Sequence, residues 1–586
     1  MFLFVLHQRF KRICWFFVFM EEIILKYVLK NAYEYKGSVN PKAVLGQVLR
    51  ENSELKSKVP KVLEEIGKAI SKIKGLSHEH ILLKLKSVAP EILNVEKKEV
   101  IEGPLKELPN AIRGKVVVRI APSPSGPLHI GHAYGAALNA TYAKMYDGKF
   151  ILRIEDTNPE NIYDKAYELI EEDAKWISQG KLSQVVIQSS RLDIYYDHAQ
   201  KLILKELAYV CTCNADTFRE LKNDAKACPC RGLGVDEMQS RYDKMFGEYA
   251  QGEAVMRLKT DIEDKNPAMR DFPIMRINSN IHPKTGKDKK VWPLMVFSVA
   301  IDDHDLGVSH VLNGKDHADN AKKEAMIMKC FGWSAPEYKH WGRINFEGLP
   351  LSSSKTRLAI EQNEFDGWDD IRLPFLPALK RRGYQQEAFV KFASKIGLSL
   401  TDKKVSQEEF WKMINAFNRE IVEPKSNRYF FVQDPKKIKI ENAPTKKIEM
   451  LLHDDFKERG KRSIIGSSEV HISSRDFELE ENRIHRLIDF CNFSSSGKTY
   501  KFENEDYMDF KQSGDKRGRI IHWLPCIEDE VVDVEVLMND GSLVKGLGEK
   551  SLLKVGVGDI VQFEREFFAR VDKIESRKVS LWYLHK

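Results

Sequence analysis

The sequence predicts an α/β protein whose central part is a doubly wound parallel sheet and whose carboxyl-terminal part forms β-barrels. Residues 115–120 and 150–154 are short, mostly apolar runs of the kind that form buried parallel strands. Each run is followed by a loop and a helical pattern, an alternation typical of a doubly wound sheet. Beyond residue 430, short alternating strands and turns such as Asn539-Asp540-Gly541 predict one or two barrels.

Composition narrows the class of protein. A chain of 586 residues is too long for one hydrophobic core and predicts roughly three to five domains. With 42% hydrophobic and 31% charged residues, it has the composition of a globular protein and not of a disordered one. The net charge of +7 suits a polyanionic partner but does not require one, because many enzymes carry a similar surplus.

The first nineteen residues differ from the rest of the chain. Residues 1–19 are strongly aromatic and apolar, but Arg9, Lys11 and Arg12 interrupt them, so no stretch reaches the roughly 18 to 20 apolar residues of a membrane span. No small-residue cleavage site follows. An amphipathic pattern opens at Met20, and we expect translation to begin there. A short membrane-surface anchor is the alternative.

The remaining elements follow in order along the chain. Helical periodicity begins at Met20, and Asn40-Pro41 and Ser77 are typical helix starts. A stretch rich in Lys and Asp interrupts the strand and helix pattern of the sheet and predicts an insertion. The predicted domains are a helical domain over 20–100, the sheet domain over 110–375 with an insertion over 211–291, a second helical domain over 376–430, and the β-barrels over 431–586.

The strongest local signal is the loop and helix start RIAPSPSGPLHIGH, residues 119–132. It follows the first strand, at the edge where open α/β sheets bind ligands, and the N–H groups at a helix start favour anions. His129 and His132 lie three residues apart on one face of the first turn, so both can donate to a triphosphate. Gly131 would let a flat adenine approach the helix. Surface histidines on a capped helix would be the ordinary interpretation, but the buried strand before the loop favours the phosphate site.

The string HIGH, residues 129–132, resembles the signature of the class I aminoacyl-tRNA synthetases. Residues 119–132 together with LRIEDTNPE, residues 152–160, resemble the glutamyl/glutaminyl branch of that family. The resemblance extends over nearly everything from Met20 onward and is closest to the archaeal-type glutamyl enzymes. Further matching strings are IDDHDLG (301–307), GKDH (314–317), DDIRLP (369–374), NRYFF (427–431), IHW (521–523) and VQFER (561–565). The resemblance implies a Rossmann-like catalytic domain with an inserted acceptor-binding domain, a helical linker domain and anticodon-binding barrels.

The resemblance also implies a two-step reaction. ATP activates L-glutamate as glutamyl-adenylate, which is then transferred to the 3′-terminal adenosine of tRNA(Glu). Catalysis can rest on positioning and on stabilising charge at the transferring group, without a covalent enzyme intermediate. A Mg²⁺ ion bridging the phosphates is implied, although no protein ligand for it stands out. The residues implied to bind ATP are Pro122, Ser123, His129, Gly131, His132, Ser352, Ser354 and Lys355.

The second signature of the family is a mobile, lysine-bearing loop that closes over the phosphates. This chain has LSSSK at residues 351–355, and Ser353 stands where many relatives carry the first lysine. Because Lys355 is the only cation in the segment, we assign the phosphates to it and count it with His129 and His132 as catalytic. On composition alone, the segment is only a flexible loop.

Three residues are implied to bind glutamate. Arg119, at the end of the first strand, could hold a carboxylate as a bidentate partner, and Glu155, at the end of the second, could hold the ammonium group. A buried pair between Arg119 and Glu155 is the structural alternative. Ser123 favours glutamate as the substrate, because glutaminyl enzymes typically carry a glutamate there. Two residues depart from the family, since Met295 and Asn313 stand where bacterial relatives place a tyrosine and an arginine.

Four of the eight cysteines form two tight pairs, Cys211 with Cys213 and Cys228 with Cys230. Four thiolates can close a structural tetrahedral zinc site, and related enzymes have a zinc-binding insertion at this place. A set of reduced, buried thiols is the alternative. No convincing secretory signal is present, so we expect reduced cysteines in the cytoplasm.

The expected partners are L-glutamate and tRNA(Glu); whether tRNA(Gln) is also charged stays open. A monomer without membrane association is the family expectation. Two alternatives remain: a glutaminyl-tRNA synthetase with the same chemistry, and a tRNA-binding protein that has kept the fold and lost activity. Ser123 argues against the first. The joint presence of His129, His132, Glu155 and Lys355 argues against the second.

Overall fold

The computed structural model describes residues 20–33, 37–52, 55, 58–89, 105–497 and 499–586. The expectations for residues 1–19 lie outside these residues. The chain divides into two units, Met1–Gly103 and Pro104–Lys586, which are described separately. None of the described helices is both long and apolar enough to cross a membrane.

In the described part of the first unit, four helices surround an apolar core. The strongly amphipathic third helix places Val62 and Ile66 in that core, beside Ile24 and Val28 of the first helix. Side chains cap two of the starts: Asn40 Oδ1 accepts the N–H groups of residues 42 and 43, and the Ser77 hydroxyl accepts that of residue 80. The helices are α1 (20–33), α2 (Pro41–Glu51), α3 (Val59–Ile73) and α4 (His78–Val88).

A parallel sheet forms the centre of the second unit. Its strands are β1 (Val117–Ile120), β2 (Lys149–Ile154), β3 (Leu182–Ile187), β8 (His310–Gly314) and β9 (Glu337–Trp341). The strands β1, β2 and β3 pair in that order, and β8 pairs with β9. The Ser309 N–H donates to the Val117 carbonyl (3.0 Å), so β8 lies beside β1. Parallel strands joined through helices confirm the predicted doubly wound class.

Helices cover both faces of this sheet. On one face α5 (Ile130–Met145) shares a core with Val118 and Leu312, and α6 (Ala166–Ile177) joins them. Neighbouring strand residues point to opposite faces, so Arg119 points away from α5. The other face therefore carries polar side chains, and it is covered by α10 (Met295–Asp305) and α11 (Ala318–Phe331).

The inserted segment is more regular than its sequence suggests. Four short strands pair antiparallel in chain order: β4 (Ala208–Cys211), β5 (Val255–Leu258), β6 (Pro273–Ile277) and β7 (Val291–Pro293). The helices α7 (Leu192–Leu204), α8 (Ala215–Asn223) and α9 (Val235–Phe246) pack with them around a separate core that includes Tyr209 and Trp292. Strands of three to five residues are too short to produce a periodic pattern, so the sequence looked irregular.

The helices that follow do not form a core of their own. The next elements are β10 (Ile344–Glu347), α12 (Ser353–Glu361), α13 (Leu376–Arg382), α14 (Gln386–Ile396), β11 (Lys403–Ser406) and α15 (Gln407–Val422). Phe389 and Phe392 of α14 belong to the same hydrophobic core as Val118 of the sheet. The Phe392 ring meets the ring of Tyr134 on α5 edge to face, with centroids 6.4 Å apart. The segment predicted as a second helical domain thus shares the core of the sheet.

The carboxyl-terminal part consists mainly of short strands. Its elements are β12 (Asn427–Tyr429), β13 (Phe431–Gln433), β14 (Pro435–Glu441), β15 (Lys446–Leu451), β16 (Lys461–Gly466), β17 (Glu469–Ser473), β18 (Ile484–Leu487), β19 (Asn492–Ser496), β20 (Thr499–Asn504), α16 (Tyr507–Gln512), β21 (Arg517–Ile521), β22 (Trp523–Pro525), β23 (Val531–Leu537), β24 (Leu543–Glu549), β25 (Ile560–Phe563), β26 (Phe567–Glu575) and β27 (Lys578–His585).

Most of these strands belong to two seven-stranded sheets. In the first, the order is β12-β25-β26-β27-β23-β24-β13, and only Phe430 separates the two edge strands in the chain. In the second, the order is β21-β18-β19-β20-β14-β17-β22, and only His522 separates the edge strands. Sheets whose edges adjoin in this way are nearly closed, which confirms the predicted β-barrels.

Candidate active site

The start of α5 is capped by its own histidine. His129 Nδ1 accepts the N–H groups of Gly131 (3.0 Å) and His132 (3.4 Å), while His132 Nδ1 faces the His129 N–H at 3.5 Å. The two rings stack with their centroids 3.8 Å apart. A ring nitrogen that accepts a hydrogen bond carries no proton, so both neutral rings hold their proton on Nε2. Each imidazole therefore keeps one N–H donor for a ligand.

This capping changes one expectation. The sequence suggested that free N–H groups at the helix start would meet an anion, but two of them already bind the His129 ring. An added Cβ at Gly131 would lie 2.9 Å from His129 Cε1, which is closer than real Cβ contacts. The absence of a side chain at Gly131 is thus required by the cap itself. Its contact with adenine stays a prediction.

The surroundings of both imidazoles favour the neutral form. Burial lowers the pKa of His129 well below its ordinary value, and the neighbouring His132 lowers it further. The surrounding atoms likewise lower the pKa of His132 to about 4, although part of its side chain is exposed to solvent. Neutral rings avoid mutual repulsion at a centroid distance of 3.8 Å, and they can still donate from Nε2.

The lysine segment packs against the loop that precedes α5. A Cβ placed on Gly126 would lie 3.1 Å from Ser353 Cβ and 2.8 Å from the Trp368 ring. Ser353 is buried and begins α12, so the segment is a helical turn from this residue onward and not a loop. Lys355 is exposed in the first turn and makes no ion pair with the described residues, which leaves its ammonium group free for an anion.

The serines on either side of Ser353 also lie at this helix start. Ser352 precedes the helix and Ser354 occupies its first turn, and both are exposed. Their hydroxyl oxygens are 3.4 Å apart. The structure therefore brings these two predicted ATP ligands and Lys355 together on one turn.

Arg119 has a partner that the sequence did not reveal. Its Nε and Nη2 donate to the two oxygens of Asp303 on α10, at 3.1 and 2.9 Å. Arg153 also pairs with Asp303 and donates to Glu155 Oε1 at 3.0 Å. Burial opposes the ionisation of Asp303, but the two guanidinium groups hold its pKa below the usual range. The alternative pair between Arg119 and Glu155 is absent from the described residues.

This pairing limits how Arg119 can bind a substrate. Two of its N–H directions are taken by Asp303, and only Nη1 makes no hydrogen bond to the described residues. A bidentate grip on a carboxylate can still use the other edge of the guanidinium, which consists of Nη1–H and the second N–H of Nη2. We therefore expect Arg119 to bind a substrate carboxylate through that edge while it keeps its pair with Asp303.

The ends of β1 and β2 meet at one edge of the sheet. The Glu155 N–H donates to the Pro122 carbonyl at 3.0 Å, and Ser123 follows on the same loop with an exposed side chain. We call Arg119, Ser123 and Glu155 the amino-acid pocket. The predicted ATP residues of α5 begin a few residues further along this loop, so the structure places both predicted sites at the same sheet edge.

The two departures from the family pattern also lie on the polar side of the sheet. Met295 is the first residue of α10, and Asn313 lies on β8. The Asn313 side-chain oxygen accepts a hydrogen bond from His340 Nδ1 at 2.7 Å. Neither residue can supply a positive charge for a carboxylate. Sequence reasoning missed Asp303 and Arg153 as members of this site, although both stand inside strings that matched the family.

The four paired cysteines come together in the inserted segment. The Sγ atoms of Cys211 and Cys228 are 3.9 Å apart, those of Cys213 and Cys230 are 3.7 Å apart, and all four lie within 4.8 Å of one another. Four thiolates around a zinc ion at about 2.3 Å would be separated by about 3.8 Å. The cluster therefore fits tetrahedral zinc. It is the one His, Cys and carboxylate group of this kind among the described residues.

Three stretches of the chain match known domain families. Residues 115–424 match the catalytic domain of the tRNA synthetases class I (E and Q). Residues 426–511 and 520–572 match two anticodon-binding domains of the same synthetases. The first match contains both predicted sites, and the other two lie in the barrels.

Known relatives match over almost the whole chain. The glutamate–tRNA ligase of Methanocaldococcus jannaschii is 43% identical over 571 residues, covering 97% of this chain and all of the relative. The ligases of Methanobrevibacter smithii and Thermococcus kodakarensis are 42% and 41% identical, again over 97% of this chain and their full lengths. The chain therefore belongs to the class I tRNA synthetases of the E and Q family.

Proposed function

We propose that this chain is a glutamate–tRNA ligase, which uses ATP to form glutamyl-adenylate and transfers glutamate to the 3′-terminal adenosine of tRNA(Glu). The observation that carries the proposal is the arrangement of three groups along the loop that follows β1. The amino-acid pocket lies at its start and the two Nε2 donors of α5 at its end, and the helix start that bears Lys355 packs against Gly126 of the same loop. The full-length resemblance to glutamate–tRNA ligases supports the same conclusion.

In the first step, a carboxylate oxygen of glutamate attacks the α-phosphorus of ATP and pyrophosphate leaves. His129 and His132 donate from Nε2 to the phosphates, and Lys355 stabilises the negative charge from α12. Mg²⁺ would add neutralising charge on the phosphates. Because the described residues offer no carboxylate cluster at this edge, the ATP phosphates themselves would hold it. Pro122, Ser123, Ser352 and Ser354 complete the wall around the nucleotide.

The amino-acid pocket orients the attacking group. Glu155 pairs with Arg153 through one oxygen, and its other oxygen is available for the substrate ammonium. Arg119 Nη1 donates to a substrate carboxylate, while Ser123 lines the loop without adding a negative charge. Since no protein atom becomes covalently bonded, positioning and charge stabilisation account for the catalysis.

In the second step, a ribose hydroxyl of the terminal adenosine attacks the acyl-adenylate and AMP leaves. We assign the inserted segment, residues 211–291, to the acceptor end of the tRNA and the barrels, residues 431–586, to its anticodon. The segment over 376–430 links them, and the helices over 20–100 add contact to tRNA. The enzyme is expected to act as a monomer in the cytoplasm, and charging of tRNA(Gln) as well is a further option for the same site.

The experiment that tests this function is ATP–pyrophosphate exchange with purified protein. It is run with glutamate or glutamine, each with and without tRNA. We expect exchange only with glutamate and only when tRNA is added, as the resemblance to the glutamyl/glutaminyl branch implies. Exchange that depends on glutamine would identify a glutaminyl enzyme. No exchange under any condition, with intact tRNA binding, would mean that the chain has kept the fold and lost the activity.

The free ammonium of Lys355 supports a specific prediction. Lys355→Ala is expected to lower kcat for tRNA charging by about 100-fold. The change removes the ammonium group that stabilises the negative charge on the transferring phosphate from the α12 side. Lys355→Arg keeps the charge and should recover part of the rate. Lys404→Ala removes an exposed lysine of β11 and serves as the matched control. Equal rates in the Lys355→Ala and Lys404→Ala variants would exclude Lys355 from catalysis.

The cysteine geometry predicts one zinc ion per chain. Elemental analysis of the purified protein should find it in a one-to-one ratio, held by Cys211, Cys213, Cys228 and Cys230. Cys228→Ser is expected to release zinc and to lower Tm, since a structural zinc site contributes directly to folding. Cys526→Ser, at a cysteine remote from the cluster in sequence, should keep both zinc and Tm. Protein that is stable and metal-free would contradict the zinc assignment.

A further inference from the structure

Three consecutive cations lie at the end of α13: Lys380, Arg381 and Arg382. In an enzyme that acts on a polyanion, such a cluster would ordinarily be assigned to the nucleic acid. The structure instead gives each of them a partner within the chain. Arg381 pairs with Asp572 of β26 at 3.1 Å, and Arg382 Nη2 donates to the Leu584 carbonyl of β27 at 2.8 Å. Lys380 pairs with an acid on α6 that also contacts the loop before α5.

This acid is Asp173, and it has two partners. Its side chain is fully buried. Lys380 Nζ lies 2.7 Å from Oδ1, and the Leu128 N–H donates to Oδ2 at 2.9 Å. Burial raises the pKa of Asp173 to about 6, while Lys380 and the Leu128 N–H oppose that rise. Asp173 is therefore mostly ionised at pH 7 and accepts a main-chain hydrogen bond with a charged oxygen.

The main chain around the start of α5 is held from two sides. The Leu128 carbonyl accepts the N–H group of Leu376 at 2.8 Å, and the N–H group of the residue after His129 donates to the Pro374 carbonyl at 3.2 Å. These two bonds join the chain on both sides of His129 to the start of α13. The bond to Asp173 ties the same stretch to α6. The place of the His129 ring thus depends on contacts outside the nucleotide site.

We propose that Asp173 is a positioning residue for ATP, which holds the Leu128 N–H and so fixes where His129 presents its Nε2 donor. This inference rests on the proposed function, in which His129 donates to the phosphates. Lys380 keeps Asp173 ionised, whereas the acceptor oxygen sets the geometry. A displacement of about 1 Å in a group that positions a substrate can cost on the order of 10²-fold in rate.

The amino-acid pocket provides a selective readout for this role. It lies at the start of the same loop, and contacts that do not involve Asp173 hold it. The Glu155 N–H donates to the Pro122 carbonyl at 3.0 Å, and Arg119 pairs with Asp303. Displacing the start of α5 should therefore weaken the use of ATP, while KM for glutamate changes by less than about twofold. General destabilisation of the protein would not separate the two substrates.

Two double variants test the acceptor oxygen. Asp173→Ala with Lys380→Met and Asp173→Asn with Lys380→Met both remove the ion pair without leaving a buried charge. Only the Asn variant keeps an oxygen that can accept the Leu128 N–H. In tRNA charging, we expect kcat/KM for ATP to fall about 10- to 100-fold in the Ala variant and to stay within about threefold of the unaltered enzyme in the Asn variant. Glu171→Ala breaks an exposed ion pair on the same helix and should change neither constant.

The outcomes separate this inference from the proposed function. Equal kcat/KM for ATP in the two double variants overturns the inference, whether both stay active or both lose the same activity. A rise in KM for glutamate as large as that for ATP also overturns it. Thermal unfolding checks that the variants are folded, and Asp173→Leu with Lys380→Met, which fills a similar volume without an acceptor, replaces an Ala variant that is not. An unaltered enzyme without glutamate-dependent charging overturns the proposed function and this inference together.

Discussion

Replacing both His129 and His132 with alanine is expected to lower kcat/KM for ATP by at least about 10³-fold in tRNA charging. Removing one donor that faces developing charge typically costs about 10²- to 10³-fold, and this change removes two. Nδ1 of each ring faces a backbone N–H group, so Nε2–H is the donor that each ring can offer to ATP. The alanine substitutions remove both of these donors. Charging kinetics at varied ATP provide the measurement. Survival of near-normal charging in the double variant would contradict the ligase mechanism proposed for this site.

The alanine changes also remove a helix cap, and this effect must be separated. Loss of the N-cap at His129 should cost about 1 kcal/mol of stability. His129→Ser retains a capping oxygen but cannot reach the phosphates. We expect His129→Ser to keep Tm close to that of the unaltered protein and still to lose about 10²-fold in kcat/KM. If His129→Ser is fully active, the ring serves only as a cap.

Arg119→Ala is expected to reduce glutamate-dependent kcat/KM on the order of 10³-fold, because a charged donor to the substrate carboxylate is lost. The change also removes one of two cations from Asp303, which is fully buried. Leaving a buried charge with less compensation costs about 3 kcal/mol, so Tm should fall as well. Charging rates at varied glutamate and thermal unfolding measure the two effects. Unchanged kcat/KM would discard Arg119 as a substrate ligand.

A double variant separates recognition from stability at this site. Asp303→Asn combined with Arg119→Ala removes one buried charge of each sign, and Arg153 keeps its pairs with Glu155 and Asp302. We expect Tm to recover most of its loss in the double variant, whereas glutamate-dependent activity should stay low. Recovery of activity along with Tm would show that Arg119 acts only by compensating Asp303.

The elements nearest to the phosphate site were predictable because their signals are local. The strand, loop and helix around residues 119–132 lie within one short stretch, so composition and spacing specify both the turn and the helix start. The cysteine pairs were predictable for the same reason, since two tight spacings suggest four convergent thiols. The barrels followed from alternating strands, and the near closure of each sheet required only that its edge strands adjoin in the chain.

The parts that could not be predicted depend on distant contacts. Arg119 and Asp303 are 184 residues apart in the chain, and no sequence pattern specifies that they pair. Asp173 looks like an ordinary helix residue until the packing of α6 buries it. The capping role of His129 is local, yet either ring nitrogen of a histidine can accept a proton, and only coordinates show which one faces the backbone.

The core shared by the sheet and α14 has a practical consequence for dissecting this enzyme. Cutting the chain after residue 375 would strip Phe389 and Phe392 from one face of α5 and expose its apolar side chains to water. Such a fragment would be prone to aggregate even though it contains every residue of the nucleotide site. The same core also includes Phe568 and Leu584, so an autonomous catalytic piece must, by this argument, extend to the carboxyl-terminal strands β26 and β27.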